Sequence, residues 1–583
     1  MVHIPAAEGA GKLPRARPAS LRNRHGTLGY VAFAAVVAAI IALPIITILL
    51  LALGAGANVW PHLMATVLPA TLRDTAVLLA GVGACCLVFG AGTAWLVTMY
   101  RFPGRAILDR LLVLPLAMPT YIVAYCYVEF LDYSGPVQAG LRSVFGFQSV
   151  RDYYFPDVRS MGGAILVLSA VLYPYVYLTA RASFVQQSIC VLEVARTLGR
   201  TSLTSFWSVA LPLARPALVA GLVLALMETL NDLGAVQYLG VQTLSVSIYT
   251  TWLQRSSLGG AAQIALVAVV VVVALILAER AARGGQYHHT TGRYRSIPFS
   301  DLKGWRGMVA AVVCALPVIA GFVIPMGILV SQAVTHVSDA LEAGFWRAVA
   351  NSLTVAVVAS VITVMLGLGM SYAQRAAPSR FVAFCARGAG LGYALPGTVL
   401  AIGLLIPLAA LDNRFDAFLR SAFGVHVGLL LSGSLFIVVL AYAIRFLTVS
   451  LGALEAGFAR LSPNLDAAAR TLGETSFSVL WRVHVRLLAP ALGAAALLVF
   501  VDAMKELPAT LLLRPFNFET LATHVYSFAT LELFEQGTLG ALTIVLIGLV
   551  PVLLLHNAVA GGRAGSGAPS PGWLRRAERR VVP

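Results

Sequence analysis

The chain has 583 residues, of which 59% are hydrophobic and only 11% charged, with a mean hydropathy of +0.84. A water-soluble domain needs far more charge to cover its surface, so the composition excludes a soluble enzyme and places the protein in a membrane. The formal charge of +16 does not point to nucleic acid, because the arginines lie in short segments beside apolar stretches and set topology there.

The first 28 residues carry Lys12, Arg15, Arg17, Arg22 and Arg24 ahead of a charge-free tract from Gly29 to Ala55. That tract is longer than the apolar core of a cleaved signal peptide, so it reads as a retained first helix behind a cytoplasmic tail, 1–28. About twelve helical spans follow from the apolar segments: 29–55, 75–99, 108–130, 161–180, 215–239, 258–279, 307–333, 350–374, 384–411, 428–452, 489–513 and 537–558. Each is long enough to cross about 30 Å of hydrocarbon, and none alternates with the period of a barrel strand. Starting from a cytoplasmic N-terminus, the inward segments hold clusters such as Arg101, Arg105 and Arg110, or Arg280, Arg283, Arg293 and Arg295. Both termini are therefore expected in the cytoplasm. Of six cysteines, Cys85, Cys86, Cys126, Cys314 and Cys385 lie in or beside spans without metal or disulfide spacing.

An internal repeat organises the chain. Ala195-Arg196-Thr197-Leu198-Gly199 recurs as Ala469-Arg470-Thr471-Leu472-Gly473, Trp207 matches Trp481, and Pro216-Ala217-Leu218 matches Pro490-Ala491-Leu492. Pro119 corresponds to Pro396 at nearly the same offset. The expected layout is a first half at 29–279 and a second at 307–558, joined by a cytoplasmic linker at 280–306 and followed by a cytoplasmic tail at 559–583. Six spans per half make the two repeats run parallel in the membrane.

The segment 193–212 reads EVARTLGRTSLTSFWSVALP: polar, rich in helix formers, and interrupted at a glycine. A short helix, a glycine turn and a second short helix would present a knob to a partner's groove. The segment resembles the coupling loop of ABC importer permeases in Glu193, Ala195 and Gly199 and, nine residues later, a close on Leu211 and Pro212. The second half repeats Ala468, Ala469 and Gly473, but Ala467 stands where the Glu is expected, with Asp466 just before it, and Arg486 replaces the closing Pro. The resemblance implies coupling loops at 188–214 and 458–488 and an all-α, two-fold repeated type I importer permease fold. It also implies two copies of a separate ATPase and a periplasmic substrate-binding protein. The three lysines, Lys12, Lys303 and Lys505, form no phosphate-binding loop, so ATP is expected to be used by the partner and no cofactor by this chain.

Ionisable residues inside spans are costly and default to function. Glu228, Asn231 and Asp232 in one span align through the repeat with Asp502, Lys505 and Glu506 in another, and the spacing places each trio on one helical face. Four carboxylates around one ammonium suit the path of a hard cation, and the same residues can instead pair to hold helices together. The stretches 227–240 and 502–526 resemble fused ferric-iron permeases, and the likeness runs over nearly the whole chain. That resemblance implies Fe(III) as cargo, with thiamine or a phosphonate as alternatives. Tyr173, Tyr175 and Tyr177 cannot share one helical face and read as packing residues, and His288-His289 as part of a solvated linker. A twelve-helix secondary transporter shares the 6+6 plan, but it has no use for two docking loops in register.

Overall fold

The computed structural model describes residues 24–54, 59–186, 202–282, 300–337, 343–462 and 464–560. The first half runs α1 (Arg24–Leu53), α2 (Leu68–Met99), α3 (Arg105–Leu111), α4 (Thr120–Leu131) and α5 (Pro136–Phe145). It continues with α6 (Met161–Gln186), α7 (Leu211–Asn231), α8 (Gly234–Tyr238), α9 (Leu244–Leu253) and α10 (Leu258–Ala282). The second half runs α11 (Trp305–Val318), α12 (Ile324–Thr335), α13 (Ala343–Ala376), α14 (Arg380–Ala389), α15 (Gly397–Phe423) and α16 (Leu435–Phe458). It closes with α17 (Asn464–Thr471), α18 (Ser476–Val479), α19 (Ala489–Met504), α20 (Pro508–Leu513), α21 (Leu521–Thr530) and α22 (Phe534–Ala560). Among the described residues ten helices are long and apolar enough to cross a membrane, and twelve if two bent pairs each count as one span.

The expected straight spans 108–130, 215–239, 384–411 and 489–513 are all broken, the first and third ahead of a proline. A proline pushes its predecessor out of the helical region. Met118 before Pro119 lies at φ −86°, ψ 120°, and Leu395 before Pro396 at φ −76°, ψ 125°. The first break turns the chain by 96° between Arg105–Ala117 and Thr120–Phe145. α7 stops at Asn231 and α19 at Met504, where the chain unwinds for two or three residues before α8 and α20. α8 and α20 are the far ends of the expected spans 215–239 and 489–513, whereas the short α9 and α21 have no counterpart among the expected spans.

The halves are interlocked. α1 packs on α13, α14 and α15, and Gly403 lets it approach so closely that a β-carbon there would meet Pro44. Reciprocally, α11 and α12 pack on the first half, where Gly321 lies against the Ala170 carbonyl and Tyr127 donates to the Ala320 carbonyl at 2.7 Å. Within each half the main packing pair is equivalent, α2 on α6 and α13 on α16. Gly90 against Val176 and Gly367 against Ser450 sit at matching positions, the small-residue contact that brings membrane helices together. β1 (Tyr100–Arg101) and β2 (Ser300–Asp301) pair in parallel, which ties the end of the inter-half linker to the foot of α2.

Candidate functional site: coupling loop and central cavity

The segment 458–488 has the expected helix–turn–helix form. α17 ends at Thr471, Gly473 takes φ +86°, and α18 opens a second arm that runs to Leu487 before a 78° turn into α19. The Thr475 side chain caps that arm by accepting from the Ser478 N–H at 3.3 Å, and Glu474 accepts from Arg482 at 2.8 Å. Leu472 is 84% exposed and Phe477 66%, so the loop offers an apolar face outside the bundle. Ala468 and Gly473 are exposed and Ala469 half-buried on this loop.

Asp466, the residue nearest the missing Glu, faces inward. It accepts from Arg375 Nε at 2.6 Å and contacts the buried His484 Nε2 at 2.6 Å, while Arg375 also donates to the Ser462 carbonyl at 2.8 Å. Burial works against the carboxylate, but the bonds from His484 and Arg375 prevail and hold Asp466 below the usual aspartate range. In the first loop Glu193, Ala195 and Gly199 lie outside the described residues, as does His288-His289 in the linker. Leu211 and Pro212 are described and form the first turn of α7.

The two ionisable trios meet in the bundle interior, where α7 and α19 break. The expected shared helical face is kept at i, i+3, where Asp502 and Lys505 pair, and is lost at i+4. Asp232 and Glu506 lie past their helix ends, and each turns back to cap the short helix that follows. Asp232 Oδ1 accepts from the N–H groups of Ala235 at 2.9 Å and Val236 at 3.2 Å, and its other oxygen accepts from the Thr120 hydroxyl. Glu506 accepts from the N–H groups of Ala509 and Thr510, both at 3.2 Å, from the Thr510 hydroxyl at 3.0 Å, and from Arg445 at 2.7 Å. Lys505 pairs with Asp502 at 2.8 Å. Glu228 accepts from the Tyr393 hydroxyl. The pairing role and the cavity-lining role therefore coexist in the same residues.

Glu228, Asp502, Lys505 and Glu506 line a central cavity of about 80 Å³ with Tyr175, Tyr393 and Arg445. Asn231 and Asp232 line a smaller adjoining one that Glu228, Thr120, Tyr121 and Arg445 also reach. Formally the two cavities carry four carboxylates, Glu228, Asp232, Asp502 and Glu506, against two cations, Arg445 and Lys505, a net of −2. No cluster of three or more His, Cys, Asp or Glu side chains poised to hold a metal occurs among the described residues. Sequence reading passed over Arg445, Tyr393 and Thr120. Arg445 was detectable by the rule that flagged Glu228, being a charge inside the apolar segment 428–452. Tyr175 lines the cavity, whereas Tyr173 and Tyr177 point away, donating to the Leu112 carbonyl and the Asp109 carboxylate at 2.9 and 2.6 Å.

Broken helices around a polar cavity, with an exposed helical knob at the foot of the bundle, define a membrane transport permease. Residues 87–283, about a third of the chain, match the family described as binding-protein-dependent transport system inner membrane component, and that match together with the many apolar helices supports a multi-pass inner-membrane protein. The chain is 24% identical over 496 residues to the Fe(3+)-transport system permease protein FbpB 2 of Haemophilus influenzae, covering 83% of this chain and 89% of that one. It is 27% identical over 215 residues to the molybdenum transport system permease protein ModB of Escherichia coli, covering 36% of this chain and 88% of that one. It is 35% identical over 154 residues to the sulfate transport system permease protein CysT of Salmonella typhimurium, covering 26% of this chain and about half, 52%, of that one. The double length is shared with the first of these relatives.

Proposed function

We propose that the chain is the membrane-spanning subunit of an ATP-driven importer that moves Fe(III), handed over by a periplasmic binding protein, into the cytoplasm. The observation that carries this reading is the net −2 charge of the central cavities, whose carboxylate and phenol oxygens suit a hard cation and repel an oxyanion. The relative covering 83% of the chain is an Fe(3+) permease by name, which agrees with that charge. The relatives named for sulfate and molybdenum match 26% and 36% of the chain.

On this reading two copies of a separate ATPase bind beneath the segments 188–214 and 458–488, and both chain termini face them from the cytoplasm. Glu193, Ala195, Gly199, Leu211 and Pro212 serve the first dock, and Ala468, Ala469 and Gly473 the second, with Asp466 fixing the second loop from within. ATP is bound by the partner, and this chain needs no cofactor of its own. Closure of the ATPase pair shifts the permease between outward-open and inward-open arrangements. Interlocked first helices make the halves move as a pair, and the breaks in α7 and α19 supply the joints.

The test is radiolabelled uptake into cells lacking the chain, with and without a plasmid copy. Restored ferric uptake, lost when the ATPase is deleted and insensitive to a protonophore, is the expected result. Restored uptake of thiamine, molybdate or a phosphonate with no ferric uptake would overturn the cargo. Transport that outlives the ATPase would overturn the class.

A further inference from the structure

The two trios are related by the repeat, but their charges are not. Asp502 and Glu506 each have a fixed cation, Lys505 at 2.8 Å and Arg445 at 2.7 Å. In the first half the positions equivalent to Lys505 and Arg445, 274 residues earlier, are Asn231 and Val171. Neither carries a charge. Asp232 is committed to capping α8 and to Thr120, so its oxygens are engaged. Glu228 reaches both cavities and is met by one hydroxyl, that of Tyr393, with no ion-pair partner among the described residues.

A second observation points to a ligand at the same place. Asn231 is 2% exposed, lines the smaller cavity, and neither its amide oxygen nor its amide nitrogen has a hydrogen-bond partner. The neighbouring Tyr121 hydroxyl, also buried, is likewise without one. A buried amide left without partners is costly, so it calls for a visiting water, ion or ligand. We infer that Glu228, Asn231 and the Tyr121 hydroxyl form a single transit subsite for a hard cation on the first-half side, at the position that Lys505 fills permanently in the second half. The inference rests on the cation-cargo reading above. It adds that the path holds one cargo ion and not two, because built-in cations occupy the second half.

An oxygen set of this kind, with one formal charge and two neutral donors, binds a multivalent ion weakly enough to release it. Arg445 lines both cavities and is anchored to Glu506, so it is one of the built-in cations on the second-half side.

The test exchanges the two halves' residues. The full chain is purified in detergent and titrated with Tb(III), a hard trivalent ion whose luminescence is excited through nearby tyrosines. Wild type should show a saturable signal competed by Ga(III). Asn231→Lys, which installs the second half's cation in the first, should weaken Tb(III) binding by about tenfold or more, and Glu228→Gln should do the same. The double variant Asp502→Asn/Lys505→Asn should lose much less, since it removes a self-neutralised pair. Thermal melting and gel filtration identify a misfolded Asn231→Lys protein, in which case Glu228→Gln against the double variant decides. Equal binding by wild type and Glu228→Gln, or a larger loss in the double variant, would overturn the inference. If Tb(III) binding follows the expected order while cells take up no ferric iron, the cargo reading fails and the subsite stands.

Discussion

The two halves share a build and differ in charge. α7 and α19 break at equivalent positions, and the carboxylates after each break cap equivalent short helices, Asp232 for α8 and Glu506 for α20. The capping pair is thus architecture, required wherever an unwound chain must restart a helix in an apolar setting without stranding its first N–H groups. The residues one turn earlier differ in their company: Asp502 with Lys505, and Glu228 with a tyrosine. A duplicated fold keeps what it needs to fold in both copies and can specialise one copy for cargo. The segments 188–214 and 458–488 diverge too, since the first keeps Glu193 whereas the second holds Asp466 inward against Arg375 and His484.

The contrast can be broken most forcefully at the loops. Glu193→Lys should abolish ferric uptake with the protein still inserted, whereas Ala467→Lys should reduce it by no more than about threefold, since an exposed surface change costs little. Equal losses in the uptake assay would make the loops equivalent. Next in size is Arg445→Leu, which leaves Glu506 buried without its cation and should cost about 3–5 kcal/mol, read as a fall in melting temperature. Adding Glu506→Gln should restore much of it, and a double variant as unstable as the single one would show that Arg445 holds the bundle by packing alone.

Much of this was legible in the sequence, and the failures have a common cause. Period and length located the apolar segments, and the recurring Ala-Arg-Thr-Leu-Gly placed the interhelical turn, where Gly473 takes the left-handed conformation that favours glycine. Helical spacing then misled at Glu228, Asn231 and Asp232, because an Asn-Asp pair followed by Leu233 and Gly234 ends a helix that hydropathy alone would continue. The cation on Glu506 comes from a helix 61 residues away in sequence, a distance no local pattern reports. Tyr393 and Glu228 are 165 residues apart and on different halves, so their contact required the interlocked fold.

Smaller effects sharpen the second loop. His484→Ala should weaken the hold on Asp466 by about 1–3 kcal/mol, lowering uptake modestly and exposing 458–488 to protease. The carboxyl of Asp466 is held below its ordinary value, so its contribution is present above the unfolded aspartate range and is lost as pH falls through the depressed folded value. Protection of the loop in the purified protein should therefore vanish on acidification in wild type, and Asp466→Asn should be unprotected at every pH. Protection that is independent of pH in wild type would remove Asp466 from that role. The smallest effect belongs to Glu519, which pairs with Arg514 at 2.9 Å and lies near His524 at 3.4 Å, with its carboxyl held down to about 2, first by the His524 bond. Glu519→Gln should shift stability by about 1 kcal/mol or less at neutral pH, with the difference gone at the lowest pH.

The most direct measurement is the initial rate of ferric uptake by cells carrying Glu228→Gln, set beside cells carrying Asp502→Asn/Lys505→Asn at equal membrane abundance. A one-sided cation path predicts a loss of about tenfold or more in the first and a clearly smaller loss in the second. Equal losses, or the reverse order, would contradict it.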